Sequence, residues 1–375
     1  MNKKERIEAA MRHKDVDRIP WTIYKGVASW GEAEFKLRVE GMTPIYLGFP
    51  ITIVNLPNVE LVETQTYYNG SNGKSGRNTI TRKFKTSLGE VSSKYEFLNK
   101  GNPIPGDWIL RYGSGIEQEA LSWWAEHPFK SESDYKILEH IYNSIEYIDN
   151  SEDFLYTEKI IGNEGYVMAN VGKSPFQAMI SELMGLETCY FELHSNPKKF
   201  RSLYEVLCAK TKEKYEMAAN SPADVIWAPE NLTSLVTPPP IFKEFCIPFY
   251  NEVADILHKK GKLLATHMDG NLKGLKELIN ETKIDIIEAF TPSPMCDMSV
   301  EEARKAWPDK VIWINFPQTL LATYTIEMIE EYTTKILNSI APAKGFMIGN
   351  TENFPLDTWG RVYQGIGNAI DKFRN

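Results

Sequence analysis

Residues able to do chemistry gather at one place in this chain, Leu263-Leu264-Ala265-Thr266-His267-Met268-Asp269-Gly270-Asn271. Apolar residues lead in, His267 and Asp269 follow at alternate positions, and Gly270-Asn271 turns the chain. A histidine at a strand end is a candidate metal ligand or general base, because its charge changes near neutral pH. The same pattern recurs along the sequence. Asn170 and Lys173 follow one apolar run, Glu230 and Asn231 another, and Asn315 and Gln318 another. Asn350, Thr351, Glu352 and Asn353 follow the last, while Glu288 lies inside a further run with Thr291 just beyond it. Cys246 falls on a helical segment between Glu230 and His267.

Glu230, Cys246, His267 and Glu352 form a mixed oxygen, sulfur and nitrogen set. Such a set suits zinc and leaves one position for a substrate. Each member also has a bland reading. A strand-end histidine is often a hydrogen-bonded structural residue, and a helical cysteine is often core filler. Glu230 could cap a helix or pair with a lysine, and Glu352 could mark a helix entry. The aromatic residues Trp123, Trp124, Trp227, Trp313 and Phe316 read mainly as core or wall.

The elements that must position these residues change character along the chain. Residues 3–14 read as a short helix with Ile7, Ala10 and Met11 on one face. Asp17-Arg18-Ile19-Pro20-Trp21 leads into a first strand. Residues 59–100 read as an antiparallel β-meander, with strands over 79–86 and 91–97 and a flexible tip at 69–73. Residues 101–130, rich in Gly, Pro and Trp, read as irregular. From about 131 helices and strands alternate. Strands are expected at 165–171, 224–228, 263–268, 284–290, 311–315 and 345–348. Helices are expected at 176–193, 197–220, 240–260 (interrupted at Pro248), 299–307 with Ser299 and Glu302 as a capping box, 325–340 and 357–373. This rhythm argues for parallel strands, and its short regular spacing favours a closed (β/α)8 barrel. Residues 1–130 would then supply the N-terminal helix, the first strand and the meander extension, and 131–375 the remainder of the barrel. In such a barrel the strand ends converge on one mouth.

The 375 residues carry a net charge of −8, and the pI is about 5.5. That balance argues against nucleic acid or an anionic membrane as a partner. The four cysteines form no CxxC pair and no disulfide framework. The N-terminus reads as an amphipathic helix and not a signal peptide, and no apolar run is long enough to span a membrane. A reduced, cytoplasmic protein is expected.

Several segments resemble the uroporphyrinogen decarboxylase superfamily: Asn2 to Ile7 through Asp17-Arg18-Ile19-Pro20, Ser174-Pro175-Phe176, Phe245 to Tyr250, Thr266 to Asn271, and Gly345-Phe346 to Pro355. The resemblance spans nearly the whole chain and implies a (β/α)8 barrel with an N-terminal extension. The decarboxylases of this superfamily carry an Arg-Gln-Ala-Gly-Arg type segment near the N-terminus, where this chain has Trp21-Thr22-Ile23-Tyr24-Lys25-Gly26. The carboxylates expected at the mouth would also repel a polyanionic substrate. Arg18 and Arg38 are the few candidates for meeting such a substrate. The other branch consists of zinc-dependent methyltransferases that work with corrinoid proteins. Members acting on thiols are similar but carry His-x-Cys on the strand and a further Cys near the last strand. His267 matches, whereas Asp269 and Glu352 stand at the cysteine positions. The departure points towards donor-side methyltransferases of the O-demethylase type.

The resemblance therefore implies methyl transfer from a small methylated donor, preferably a methyl ether, to the Co(I) corrinoid of a partner protein. Zinc would sit on Glu230, Cys246, His267 and Glu352, and act on the donor heteroatom as a Lewis acid. Asp269 would orient His267 or protonate the departing oxygen, Glu230 would share in the catalytic centre, and Asn170, Asn315 and Gln318 would fix the donor. The cobalamin belongs to the partner, which would dock over the mouth with residues 101–130 near its rim. The alternatives are a metal-free decarboxylase-like lyase and a catalytically degenerate barrel that binds a small ligand.

Overall fold

Eight short strands follow one another through the sheet in strict chain order: β1 (Thr22–Tyr24), β2 (Thr43–Pro50), β3 (Tyr166–Asn170), β4 (Val225–Ala228), β5 (Leu263–His267), β6 (Ile286–Phe290), β7 (Val311–Asn315) and β8 (Phe346–Gly349). A parallel bridge from Trp21 to Ile348 joins the last strand to the first, closing the (β/α)8 barrel. The structure is a computed structural model and describes residues 1–25, 32–66, 78–98, 121–317, 323–351 and 358–373.

The barrel strands are apolar runs buried on both faces, as in Val-Ile-Trp-Ile-Asn of β7. Both-face burial is what parallel strands covered by helices require. The helices that follow them carry their own start signals. Ser299 caps the helix Val300–Ala306, with Glu302 bonded back to the Ser299 backbone, and Thr325 caps Ile326–Ser339. The helix between β4 and β5 is not regular. Pro239–Ile241 runs into a π-turn over Phe242–Cys246 before Ile247–His258. Pro248 has no N–H to close the regular ladder on Glu244, and a π-turn at that point absorbs the missing bond.

By contacts the chain divides into two units. One comprises residues 1–49, 151–170 and 221–375, and the other 50–150 and 171–220. The second unit holds a four-stranded antiparallel sheet, Glu60–Thr66, Asn78–Thr86, Gly89–Leu98 and Leu121–Glu126, in sequential order. Ile80, Phe84 and Val91 are buried on one face of it. A second, two-stranded sheet pairs Thr52–Asn55 with Glu146–Asp149. The long helix Pro197–Asn220 has the bounds read from its sequence.

Several expectations are corrected. Residues 121–126 form a strand and are not irregular, so the meander has two more strands than its alternation showed. The second barrel strand, Thr43–Pro50, carries no clear period in its sequence and is absent from the strands expected above. The helix expected over 176–193 is interrupted: a π-turn ends at Met184, Gly185 takes φ 77°, and a new helix starts at Leu186. That φ lies outside the right-handed helical region and is readily adopted by glycine, so a continuous helix cannot pass through it. The tip at 69–73 and most of 101–120 lie outside the described residues. No helix among the described residues is long and apolar enough to cross a membrane.

Replacing Ser299 with Ala removes the side-chain acceptor for the Glu302 N–H. The expected loss is about 1 kcal/mol of unfolding free energy, read from the urea midpoint at unchanged slope.

Candidate active site

His267 ends β5, and its partner across the ladder to β6 is Glu288. The β6 strand is irregular beyond that point. Its register with β7 slips between Ile287 and Phe290, and Ala289 takes φ 60°. In an unbroken strand residues 288 and 290 would share a face. The bulge separates them. Glu288 bonds to residues of β1, β4 and β5, while Phe290 packs edge-on against Trp307 with ring centroids 5.7 Å apart. Bulges that re-aim a side chain in this way are common beside functional sites.

Glu288 is fully buried. Its carboxylate accepts from the Tyr24 hydroxyl on Oε1, and on Oε2 from the Trp227 indole N–H at 2.9 Å and His267 Nδ1 at 2.7 Å. A buried carboxylate is costly unless paired and hydrogen-bonded, and here three donors surround it. The second ring nitrogen, His267 Nε2, lies 3.5 Å from Asp269 Oδ2. Burial opposes charge on this ring. The Glu288 charge, its hydrogen bond to the ring and the nearby Asp269 carboxylate outweigh it and raise the pKa of His267 to about 10. The Trp227 ring stands edge-on to the imidazole at 5.9 Å.

The turn after β5 is held tightly. A side chain at Gly270 would put its Cβ 2.4 Å from Thr233 Cβ and 2.7 Å from the Leu232 carbonyl, so glycine is required there. The Gly270 N–H donates to Leu232 O, and Leu232 N–H to His267 O. The loop after β4, which carries Glu230 and Asn231, is thereby tied to the strand end bearing His267. The Cys296 thiol donates to the Asp269 carbonyl at 3.2 Å.

The residues singled out in the sequence fall differently. Glu230 and Cys246 are buried, each 1% exposed. Asn170 is buried at the end of β3. Asn315 donates to Thr291 Oγ1 and accepts from the Thr351 N–H, both at 3.1 Å, so it knits together the segments beyond β6, β7 and β8. Gln318 and Glu352 lie outside the described residues. Arg18 pairs with Asp371 at 2.8 Å and Arg38 with Glu34 at 2.6 Å, so both cations already have carboxylate partners. Tyr24 and Trp227, which bond to Glu288, carry no site signal of their own in the sequence. The signal that could have found them is the lone carboxylate in Ile286-Ile287-Glu288-Ala289-Phe290. A charge inside a buried strand demands donors from neighbouring strands.

Two zinc ligands with bonds of 2.0–2.1 Å in a tetrahedral shell stand about 3.3–3.4 Å apart. The His267 Nε2 to Asp269 Oδ2 separation of 3.5 Å is close to that, and long for a hydrogen bond. A carboxylate on the opposite ring nitrogen, as Glu288 is, is the usual support of a metal-bound imidazole. These two corners fit the ion. Among the described residues, no group of three His, Cys, Asp or Glu side chains is already gathered to hold one.

The chain belongs to the uroporphyrinogen decarboxylase (URO-D) family, whose model matches residues 126–358. No curated protein matches its sequence. Among solved structures it is similar to a methyltransferase from Methanosarcina mazei, at 10% identity and a TM-score of 0.56 over 99% of each chain, which shows a shared fold. A B12-independent methionine synthase from Shewanella sp. W3-18-1, solved with selenomethionine, overlaps at 11% identity, with 67% of this chain and 70% of that one covered. The TM-score of that overlap is 0.36.

Trp227→Phe deletes one donor to Glu288 and keeps most of the ring volume. A hydrogen bond to a charged group contributes about 1.5–3 kcal/mol, so a loss of that size is expected in denaturant unfolding. Glu288→Gln should cost more, about 3–5 kcal/mol, because it leaves the imidazolium without its buried counter-charge.

Proposed function

We propose that this protein transfers a methyl group from a small methylated donor, of the methyl ether class, to the Co(I) corrinoid of a partner protein. The observation that carries the reading is the His267 imidazole, anchored through Nδ1 by a buried carboxylate and offering Nε2 beside Asp269. Membership of the URO-D family and the fold shared with a methyltransferase support it.

Zinc would be held by His267 and Asp269, with Glu230, Cys246 and Glu352 as the residues to complete the shell. When bound, it would act as a Lewis acid on the donor heteroatom, which eases departure of an alkoxide or phenolate. The chain's own residues do the rest. Glu288 fixes the imidazole plane and tautomer, and Tyr24 and Trp227 fix Glu288. Asn170, Asn315 and Gln318 orient the donor. The methyl carbon passes to the cobalt of the acceptor, the C–O bond breaks, and the oxygen leaves with the electron pair. Four free cysteines and a Co(I) acceptor suit a reducing, cytoplasmic setting.

A second reading rests on the two carboxylates that flank the His267 ring, Glu288 at Nδ1 and Asp269 near Nε2. In it no metal takes part, and the His267 imidazolium, its pKa raised to about 10, gives a proton to the departing oxygen. A decarboxylase reading is weaker. Two carboxylates flank His267, and the cations it would need at Arg18 and Arg38 are already paired.

The test is metal content together with single-turnover methylation of Co(I) corrinoid protein across a set of methyl ethers. About one zinc per chain is expected, lost in His267→Ala and Cys246→Ala, with methyl transfer falling at least about a hundredfold in both. Transfer by a zinc-free protein that is abolished only in His267→Ala would select the second reading. No transfer to Co(I) from any donor would contradict both.

A further inference from the structure

The helix Ser151–Ile161, which leads towards β3, carries apolar side chains on two opposite faces. Phe154, Thr157, Glu158 and Ile161 follow at i, i+3, i+4 and i+7 and form the inward face. Phe154 is 1% exposed, Glu158 pairs with Lys4 of the N-terminal helix, and Ile161 lies against Gly165. Glu152, Leu155, Tyr156, Lys159 and Ile160, at i, i+3, i+4, i+7 and i+8, form the other face. All five are exposed, and the apolar members strongly so: Leu155 49%, Tyr156 67% and Ile160 67%.

A helix that covers a barrel needs one apolar stripe, and this one has two. The outer strip continues past the helix end. Phe35 and Val39, 58% and 72% exposed on the helix Glu32–Val39, line one cleft with Asn163 and Glu164, just beyond Ile161. The charges on the strip are ordered. Glu152 and Lys159 stand at either side of its apolar centre, about 10 Å apart at 1.5 Å per residue. Neither makes an ion pair or a hydrogen bond among the described residues. Their midpoint falls between Leu155 and Tyr156. A twofold axis through that point, perpendicular to the helix, would lay the strip antiparallel on a copy of itself. Leu155 and Tyr156 would then meet at the centre, and each Glu152 would face the Lys159 of the second copy.

We propose that this face joins two copies of the chain in an isologous dimer about that axis. Isologous contact needs a surface complementary to itself, and opposite charges placed symmetrically about an apolar centre meet that need. Tyrosine is a frequent anchor of such contacts. The antiparallel helix dipoles add in the same sense. An unlike partner would need no such symmetry. A bilayer is the poorer occupant, because Glu152 and Asp153 stand at one end of the strip and the chain carries a net charge of −8. The inference concerns a helix on the outside of the barrel and does not depend on the reading of the mouth.

The experiment is sedimentation velocity from about 1 to about 100 μM, the range in which interfaces of modest area dissociate. The proteins are the wild type, Tyr156→Ala, Glu152→Lys, Lys159→Glu and the double variant Glu152→Lys/Lys159→Glu, each checked for an unchanged circular dichroism spectrum. A monomer–dimer equilibrium is expected for the wild type. The dissociation constant should rise at least about tenfold in Tyr156→Ala. A similar rise is expected in each single charge reversal, which sets like charges opposite one another on both sides of the axis. The double variant should return close to the wild type. An equimolar mixture of the two single reversals should also dimerise, because one brings two lysines to the two glutamates of the other. A monomer at every concentration, a dimer indifferent to these variants, or weakening without either rescue would each overturn the proposal. A monomer that floats with phosphatidylcholine vesicles, and ceases to in Tyr156→Ala, would overturn it in favour of a membrane surface.

Discussion

A carboxylate with no access to water organises the centre of this barrel. Glu288 cannot be buried as an anion without donors, and three strands besides its own supply them: Tyr24 from β1, Trp227 from β4 and His267 from β5. That requirement fixes the imidazole in one orientation before any ligand arrives. Pre-organisation of this kind is what a reacting group needs, because a side chain already held pays little entropy when it acts. The distortion of β6 at Ala289 follows from the same demand. Without it Glu288 and the outward-packing Phe290 could not face opposite ways two residues apart.

The two ends of the barrel divide the work. At the mouth, polar side chains knit loops together: Asn315 to Thr291 and to the Thr351 backbone, Gly270 against Leu232 and Thr233, Cys296 to the Asp269 carbonyl. At the lower end, cations close the structure. Lys310 reaches the carbonyls of Thr282 and Ile284 ahead of β6, at 2.7 and 2.8 Å, and Lys262 those of Ser221 and Ala223 ahead of β4, at 2.6 and 2.5 Å. Each lysine precedes a strand and caps the strand before it. Such a device belongs to stability, in keeping with the usual split between the chemical and the structural face of these barrels.

Much of the barrel was legible because its strands are continuous apolar runs with polar ends, and its helices announce themselves with Ser299-x-x-Glu302 and Thr325. Proline was legible where it acts locally, as at Pro248, whereas the break at Gly185 carried no signal strong enough to divide the apolar helical pattern around it. What escaped were features set by distant partners. The strand Thr43–Pro50 has weak periodicity and is defined by its neighbours. The strand Leu121–Glu126 is held by Gly89–Leu98 and not by its own pattern. At the site, His267 and Asp269 stood out because they alternate where an apolar run ends in a turn. The Tyr24–Glu288–Trp227 contacts join residues more than 60 positions apart, and spacing along the chain has no access to them. Glu288 alone carried a signal, as a charge in an otherwise apolar strand.

Zinc K-edge X-ray absorption on zinc-loaded protein, with His267→Ala alongside, tests most directly whether the Glu288-anchored imidazole serves as a metal ligand. A shell of nitrogen and oxygen neighbours at about 2.0–2.2 Å with a sulfur at about 2.3 Å, and imidazole outer-shell scattering that disappears in the variant, is the expected result. Zinc that is not retained, or a spectrum identical in the two proteins, would contradict it.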